Sequence, residues 1–187
     1  MLAVMLALGA SLSFGASNFI AGLESRRRSV WTVTAVSQIA SALSAAVFLA
    51  FAHDSFLTAD AAIWSVVAGV ASAWGVLALY RALALGAMSV VSPIVALQVA
   101  IPVAAGLLMG ERPSALEYAG MAVAAGGVVL VSRTRASRGT RAPGTAIALA
   151  VLTAVLFGIM LVGLDQAGDG ALYSSAFVVR LASAAVL

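Results

Sequence analysis

The chain has 187 residues, 63% of them hydrophobic and only 9% charged, where a soluble domain averages roughly 25% charged residues. It has no cysteine, which excludes disulfides, thiolate metal sites and cysteine nucleophiles. Its net charge of +3 comes from arginine alone, since the chain has no lysine. Mean hydropathy is +1.12 and the sequence pI is about 10.2. Such a pI could suit nucleic acid, but the arginines gather at the ends of apolar segments, where positive charge orients membrane helices. No nucleic-acid partner is therefore expected. Together with abundant Ala, Gly and Val, the all-arginine basicity suits a GC-rich bacterial genome.

Residues 1–23 contain no Asp, Glu, Lys, Arg or His, and neither do 30–52, 61–80, 82–110 or 142–164. A hydrocarbon core of about 30 Å needs about 20 residues of α-helix. A soluble protein could not use so many helices that are apolar all round. The expected fold class is an all-α polytopic membrane protein with about seven transmembrane helices.

The first predicted span covers about Met1–Leu23 and ends at Glu24-Ser25-Arg26-Arg27-Arg28. It lacks a basic n-region, exceeds a usual signal-peptide h-region and has no clear A-x-A site before Arg26, so it is read as a retained span. The second covers about Val30–Ala52 and ends in the acidic loop running from His53-Asp54 to Asp60. His53 is the only histidine and cannot build a metal site by itself. The third is Ala61–Tyr80, stopped by Arg81. A turn is predicted at Leu85-Gly86-Ala87, then a fourth span at about Met88–Met109. Gly110 suits a helix C-cap, Glu111 and Arg112 an interface, and Pro113 the first turn of the next helix. The fifth span is about Ser114–Val131, with Glu117 near its start. Residues 133–142 form a basic linker, the sixth span is about Pro143–Leu164, and the seventh begins near Ala171.

An internal repeat links the two ends of this map. Ala7 to Gly15 reads ALGASLSFG and Ala150 to Gly158 reads AVLTAVLFG, so Phe14-Gly15 falls on Phe157-Gly158. Gln38-Ile39-Ala40-Ser41-Ala42 likewise matches Arg180-Leu181-Ala182-Ser183-Ala184 at nearly the same offset. The simplest organisation is a five-helix unit over 1–132, the linker 133–142, and the start of a second copy over 143–187. An odd number of helices per unit turns the second copy upside down, an arrangement common in transporters. Arg26, Arg27, Arg28, Arg81, Arg133, Arg135, Arg138 and Arg141 all follow odd-numbered spans. Arg112 alone lies on the other side, with Asp54, Asp60, Asp165 and Asp169. The positive-inside rule then puts the basic loops in the cytoplasm and the N-terminus outside.

Polar groups at membrane depth are the candidates for function, because each costs free energy in hydrocarbon unless it faces protein or water. Asn18, Gln38 and Gln98 each either line a hydrated cavity or bond a neighbouring helix. Trp74 lies deeper in its span than the end-placed aromatics Trp31, Trp64, Tyr80 and Tyr118, which suit interfacial belts, and could face a cavity. Arg180, in the middle of the seventh span, needs a carbonyl, a cavity water or an anionic solute group, unless that segment is not properly inserted. Pro93 and Pro102 interrupt the fourth span, and a kink there either lines a solute path or is a packing bend. No H-E-x-x-H, G-x-x-x-x-G-K-[ST] or intramembrane Asp pair is present. Neither an enzyme nor an ATP-driven pump is expected, and no metal or cofactor is called for.

Leu12-Ser13-Phe14-Gly15-Ala16-Ser17-Asn18-Phe19, Tyr80-Arg81-Ala82-Leu83 and Ser92-Pro93-Ile94-Val95-Ala96-Leu97 form one ordered set with two later segments. Those are Leu107-Leu108-Met109-Gly110-Glu111-Arg112-Pro113 and Glu117-Tyr118-Ala119-Gly120 through Gly126-Gly127-Val128. In order and spacing, over about residues 5–132, this set resembles the EamA-like branch of the drug/metabolite transporter superfamily. The resemblance implies ten helices in two inverted five-helix repeats around a central cavity, moving small metabolites, amino acids or drugs across the plasma membrane. It assigns no catalytic residue, and it gives Gly110-Glu111 a structural role at a helix end. Against that pattern the chain stops inside the seventh span, so transport would call for a homodimer or a longer chain.

The expected function is thus a secondary carrier of a small organic solute by alternating access, in a bacterial inner membrane. The alternative is a non-transporting membrane protein or an assembly partner of another subunit.

Overall fold

A backbone that crosses hydrocarbon must satisfy its own N–H and C=O groups, and a helix does so within a single segment. The computed structural model describes residues 2–51, 57–136, 142–168 and 171–186, and no strand occurs among them. The helices, in chain order, are α1 (Leu2–Glu24), α2 (Val30–Phe51), α3 (Ala59–Leu85), α4 (Met88–Ala96), α5 (Ala100–Leu108), α6 (Ala115–Ala136), α7 (Gly144–Ala167) and α8 (Leu172–Val186). A 3-10 turn at Leu97–Val99 joins α4 to α5, so the two halves make one crossing, Met88–Leu108. Among the described residues, five segments are long and apolar enough to span a bilayer: α1, α2, α3, the α4–α5 pair and α7. Helices α6 and α8 add shorter apolar segments. The chain is an all-α polytopic membrane protein.

Helix α3 is the hub, packing most extensively on α7 and next on α8. Its small residues explain why. A methyl group added to Gly75 would sit 2.7 Å from Phe157 Cδ1, and one added to Gly69 would sit 2.6 Å from the Val179 carbonyl oxygen. From the other side, Gly163 of α7 approaches the Trp64 carbonyl and Ala68 of α3. Lipid tails are as apolar as leucine, so helix association rests on close van der Waals contact, and small residues permit it. Around this seam Leu79, Tyr80, Leu83, Val91, Val95, Ala150 and Phe157 form the buried core. By contrast α1 is almost wholly exposed along its length.

Several helix ends depart from the sequence expectation, each for a local reason. Helix α3 starts at Ala59, where the Thr58 Oγ1 caps Ala61 N at 3.2 Å, and runs on through Arg81 to Leu85. Arginine is a good helix former, and an exposed one near a membrane surface can reach out of it, so Arg81 does not stop the helix. Gly86 caps α3 with its N–H on Ala82 O at 2.8 Å. Helix α6 continues through Arg133 and Arg135 to Ala136, cations being favoured at a helix C-terminus. Its start is a capping box, which the spacing of Ser114 and Glu117 encodes. Ser114 N and Ser114 Oγ donate to Glu117 Oε2, at 2.6 Å and 2.9 Å, while Glu117 N donates to Ser114 Oγ at 3.4 Å. Pro113 therefore lies before the N-cap and outside the first turn. Tyr80 is a core residue at 6% exposure and not part of an interfacial belt, whereas Trp31, Trp64 and Tyr118 are exposed. His53, Asp54, Asp169, Arg138 and Arg141 lie outside the described residues.

Candidate functional site

The site begins with the two prolines of the fourth crossing. Pro93 cannot donate a backbone bond inside α4, and the Pro102 ring conflicts with a helical carbonyl four residues back, at Gln98. Between them the helix tightens into the 3-10 turn that carries Gln98. Pro102 itself sits in the first turn of α5, where a missing N–H costs no intrahelical bond. The turn leaves the Gln98 Oε1 buried with no hydrogen-bond partner among the described residues.

Gln98 lines a cleft of about 460 Å³ that also takes in Asn18. Phe14, Asn18 and Phe19 form its α1 wall, and Leu79 and Leu83 its α3 wall. Ser92 and Val95 come from α4, and Phe157 from α7. Phe14 of α1 and Phe157 of α7 thus line one cleft. Among the described residues no lining side chain is ionisable.

At its basic end the cleft is shut. Gly22 of α1 lies so close to α3 and α4 that an added methyl would be 2.7 Å from Met88 Cε and 2.9 Å from Leu83 Cδ1. Just beyond, Arg26 donates from Nε to Leu83 O at 3.0 Å and from Nη2 to Gly86 O at 2.6 Å. These carbonyls belong to the end of α3, where the helix dipole is negative and a guanidinium is favoured. In the sequence Arg26 signals orientation alone. Its second role follows from the α3 turn at Gly86, which brings two free carbonyls beside the α1–α2 loop.

The remaining sequence candidates lie elsewhere. Gln38 is 4% exposed and donates from Nε2 to Ser183 Oγ, joining α2 to α8. Arg180 is half-buried on α8 near Tyr80, with no hydrogen bond or ion pair among the described residues. Trp74 is 48% exposed on α3 and does not line the cleft. Gly110 takes φ +95°, a left-handed conformation that favours glycine. Its N–H bonds Leu107 O at 3.2 Å and Glu111 N bonds Gly106 O at 2.9 Å, the paired closure of a Schellman motif. The Glu111 side chain folds back over Gly106, where a Cβ would collide with its carboxylate. Glu111, Asp165 and Gln166 border a second depression of about 370 Å³ at the acidic end. No cluster of His, Cys, Asp or Glu suited to a metal ion occurs among the described residues.

The sequence model of the EamA-like transporter family matches residues 1–133. No curated protein and no solved structure matches the chain.

Proposed function

Since the chain belongs to the EamA-like transporter family, we propose that it is a secondary carrier of small organic metabolites or drugs, with the Asn18–Gln98 cleft as its solute site. The observation that carries this reading is the helix break at Leu97–Val99, which puts Gln98 in the wall of a cleft shared with Asn18 and Ser92. The break at Leu97–Val99 is the kind of irregular backbone that membranes tolerate where it borders a cavity.

Alternating access is supported by the unequal anchoring of α1. Its last turn is held by the Gly22 contact and the Arg26 bonds, while the stretch bearing Phe14 and Phe19 is exposed. Swinging α1 about the held end would open the cleft on the acidic side. Releasing Arg26 would open it on the basic side. With the basic loops in the cytoplasm of a bacterial inner membrane and the N-terminus outside, the closed end faces inward. Residues 1–132 then serve as one five-helix repeat and 143–187 as the start of an inverted second one, with 133–142 between them.

Counterflow into solute-loaded proteoliposomes, screened over a panel of metabolites and drugs, tests the carrier reading. Ser92→Trp, which fills the cleft, is expected to abolish uptake of every solute that the unmodified chain moves. Uptake that survives this substitution would place the solute path elsewhere. A reporter fused after Ser137 is expected to read as cytoplasmic.

A further inference from the structure

We propose that the α1–α2 hairpin holds an anionic phospholipid, with its phosphate at Arg27 and Arg28 and its acyl chains between the two helices.

The first observation is that the hairpin is open. Residues 25–29 join α1 to α2, yet α1 rests on α3, and α2 on α8 and α3, rather than on each other. Both arms are apolar beside the loop, where Ile20, Leu23 and Trp31 are exposed. The second is the charge at the apex. Arg26 is bonded to Leu83 O and Gly86 O, which anchors the loop against the end of α3. Arg27 and Arg28 are exposed beside it. The Arg27 side chain has no hydrogen bond or ion pair among the described residues. Arg28 donates from Nε to Glu24 Oε2 at 3.0 Å, which leaves its terminal amino groups as donors. A guanidinium fork matches phosphate oxygens in shape and charge. Glu24 is the one carboxylate at this end among the described residues, since Asp60, Glu111, Glu117 and Asp165 lie at the other. The third is Trp31 in the first turn of α2, an indole at the level where headgroups meet acyl chains.

A lipid satisfies all three features at once. A soluble anion would meet the arginines and leave the apolar arms uncovered. A second copy inserted in the same sense would bring its own arginines to the same level, where like charges repel.

The test reads Trp31 fluorescence in the full chain carrying Trp64→Phe and Trp74→Phe. The chain is reconstituted in phosphatidylcholine vesicles with a minor fraction of dibrominated phosphatidylglycerol or dibrominated phosphatidylcholine. Bromine quenches indole on contact, so the signal reports the lipid itself and no soluble anion. Both leaflets carry the probe, which makes the result independent of orientation. Phosphatidylglycerol is expected to be enriched about fivefold at Trp31. Arg27→Gln should lower that enrichment about threefold to fivefold, and Glu24→Gln, which frees Arg28, should raise it about twofold. Arg81 leaves α3 about 200° round from Leu83, the residue that meets Gly22 of α1, so Arg81→Gln should change little. Should the tryptophan substitutions disturb folding, native mass spectrometry of the unmodified chain carries the comparison. It should retain phosphatidylglycerol over phosphatidylcholine, and Arg27→Gln should lose that preference. Equal quenching by the two lipids overturns the proposal. So does an Arg81→Gln effect as large as that of Arg27→Gln, which would mean a diffuse attraction to the whole basic surface. A Trp31 that neither lipid quenches would mean that protein, such as a second copy, fills the hairpin, and the lipid site falls.

Discussion

The Gln38–Ser183 hydrogen bond makes an asymmetric prediction that separates a structural link from a cavity polar group. Gln38 is 4% exposed and Ser183 fully buried, so neither finds water when its partner is removed. In Ser183→Ala the carboxamide of Gln38 keeps its N–H groups and loses its acceptor, a buried orphan that costs about 1–3 kcal/mol. Gln38→Leu is milder. The Ser183 hydroxyl left behind lies one turn beyond Val179 and can rotate onto that carbonyl, so the loss is that of one interhelical bond in a membrane, about 0.6 kcal/mol. With both changes no orphan remains, and the double variant should resemble Gln38→Leu alone. The single losses then exceed the double loss by about 1 kcal/mol or more. The measurement is equilibrium unfolding in mixed micelles, followed by helical circular dichroism as the denaturing detergent fraction rises. Ser44→Ala is the control, because Ser44 Oγ bonds its own helix at Ala40 O, 2.9 Å away. Additive losses within about 0.3 kcal/mol, or a Ser183→Ala no worse than Ser44→Ala, would refute the argument.

Four further outcomes are expected. Gly69→Ala drives a methyl to 2.6 Å from the Val179 carbonyl oxygen, so α8 must shift and stability in the same assay should fall by about 1–3 kcal/mol. Gly127→Ala, which meets nothing within 4 Å, should not destabilise. Gly110→Ala forces a Cβ into φ +95°, for a loss of about 1 kcal/mol, and an unchanged unfolding midpoint would mean that the turn relaxes. Arg26→Ala removes two charge-assisted bonds from the end of α3. If that weakens the closed state by about 1 kcal/mol, the open population rises about fivefold. A cysteine placed at Leu83 should then alkylate correspondingly faster from the basic side, and an unaltered rate would remove Arg26 as a latch.

What the chain order of residues decided by itself was the solvent and the all-helical class. Charge-free stretches of about 20 residues leave a backbone one economical way through lipid, so helices at 30–52 or 142–164 follow from length and hydropathy alone. Turn positions were legible wherever chemistry is local, as at Gly86 and Gly110. Helix ends marked only by arginine were misplaced, because Arg81 and Arg133 bring charge to a helix without ending it. Side-chain direction was not legible, because a helix apolar on every face has no polar stripe to say which side looks outward. Gln38 and Gln98 read alike in sequence, as single amides in oily helices. Tertiary packing gave Gln38 a serine on α8, while the Pro93–Pro102 break put Gln98 in the cleft wall with its Oε1 buried and unpartnered among the described residues. Trp74 and Tyr80 were sorted the same way, one to the exposed surface and the other to the core, by which face of α3 meets α7. Small residues set those faces, since Gly69, Gly75 and Gly163 allow close approach and the larger neighbours must turn elsewhere.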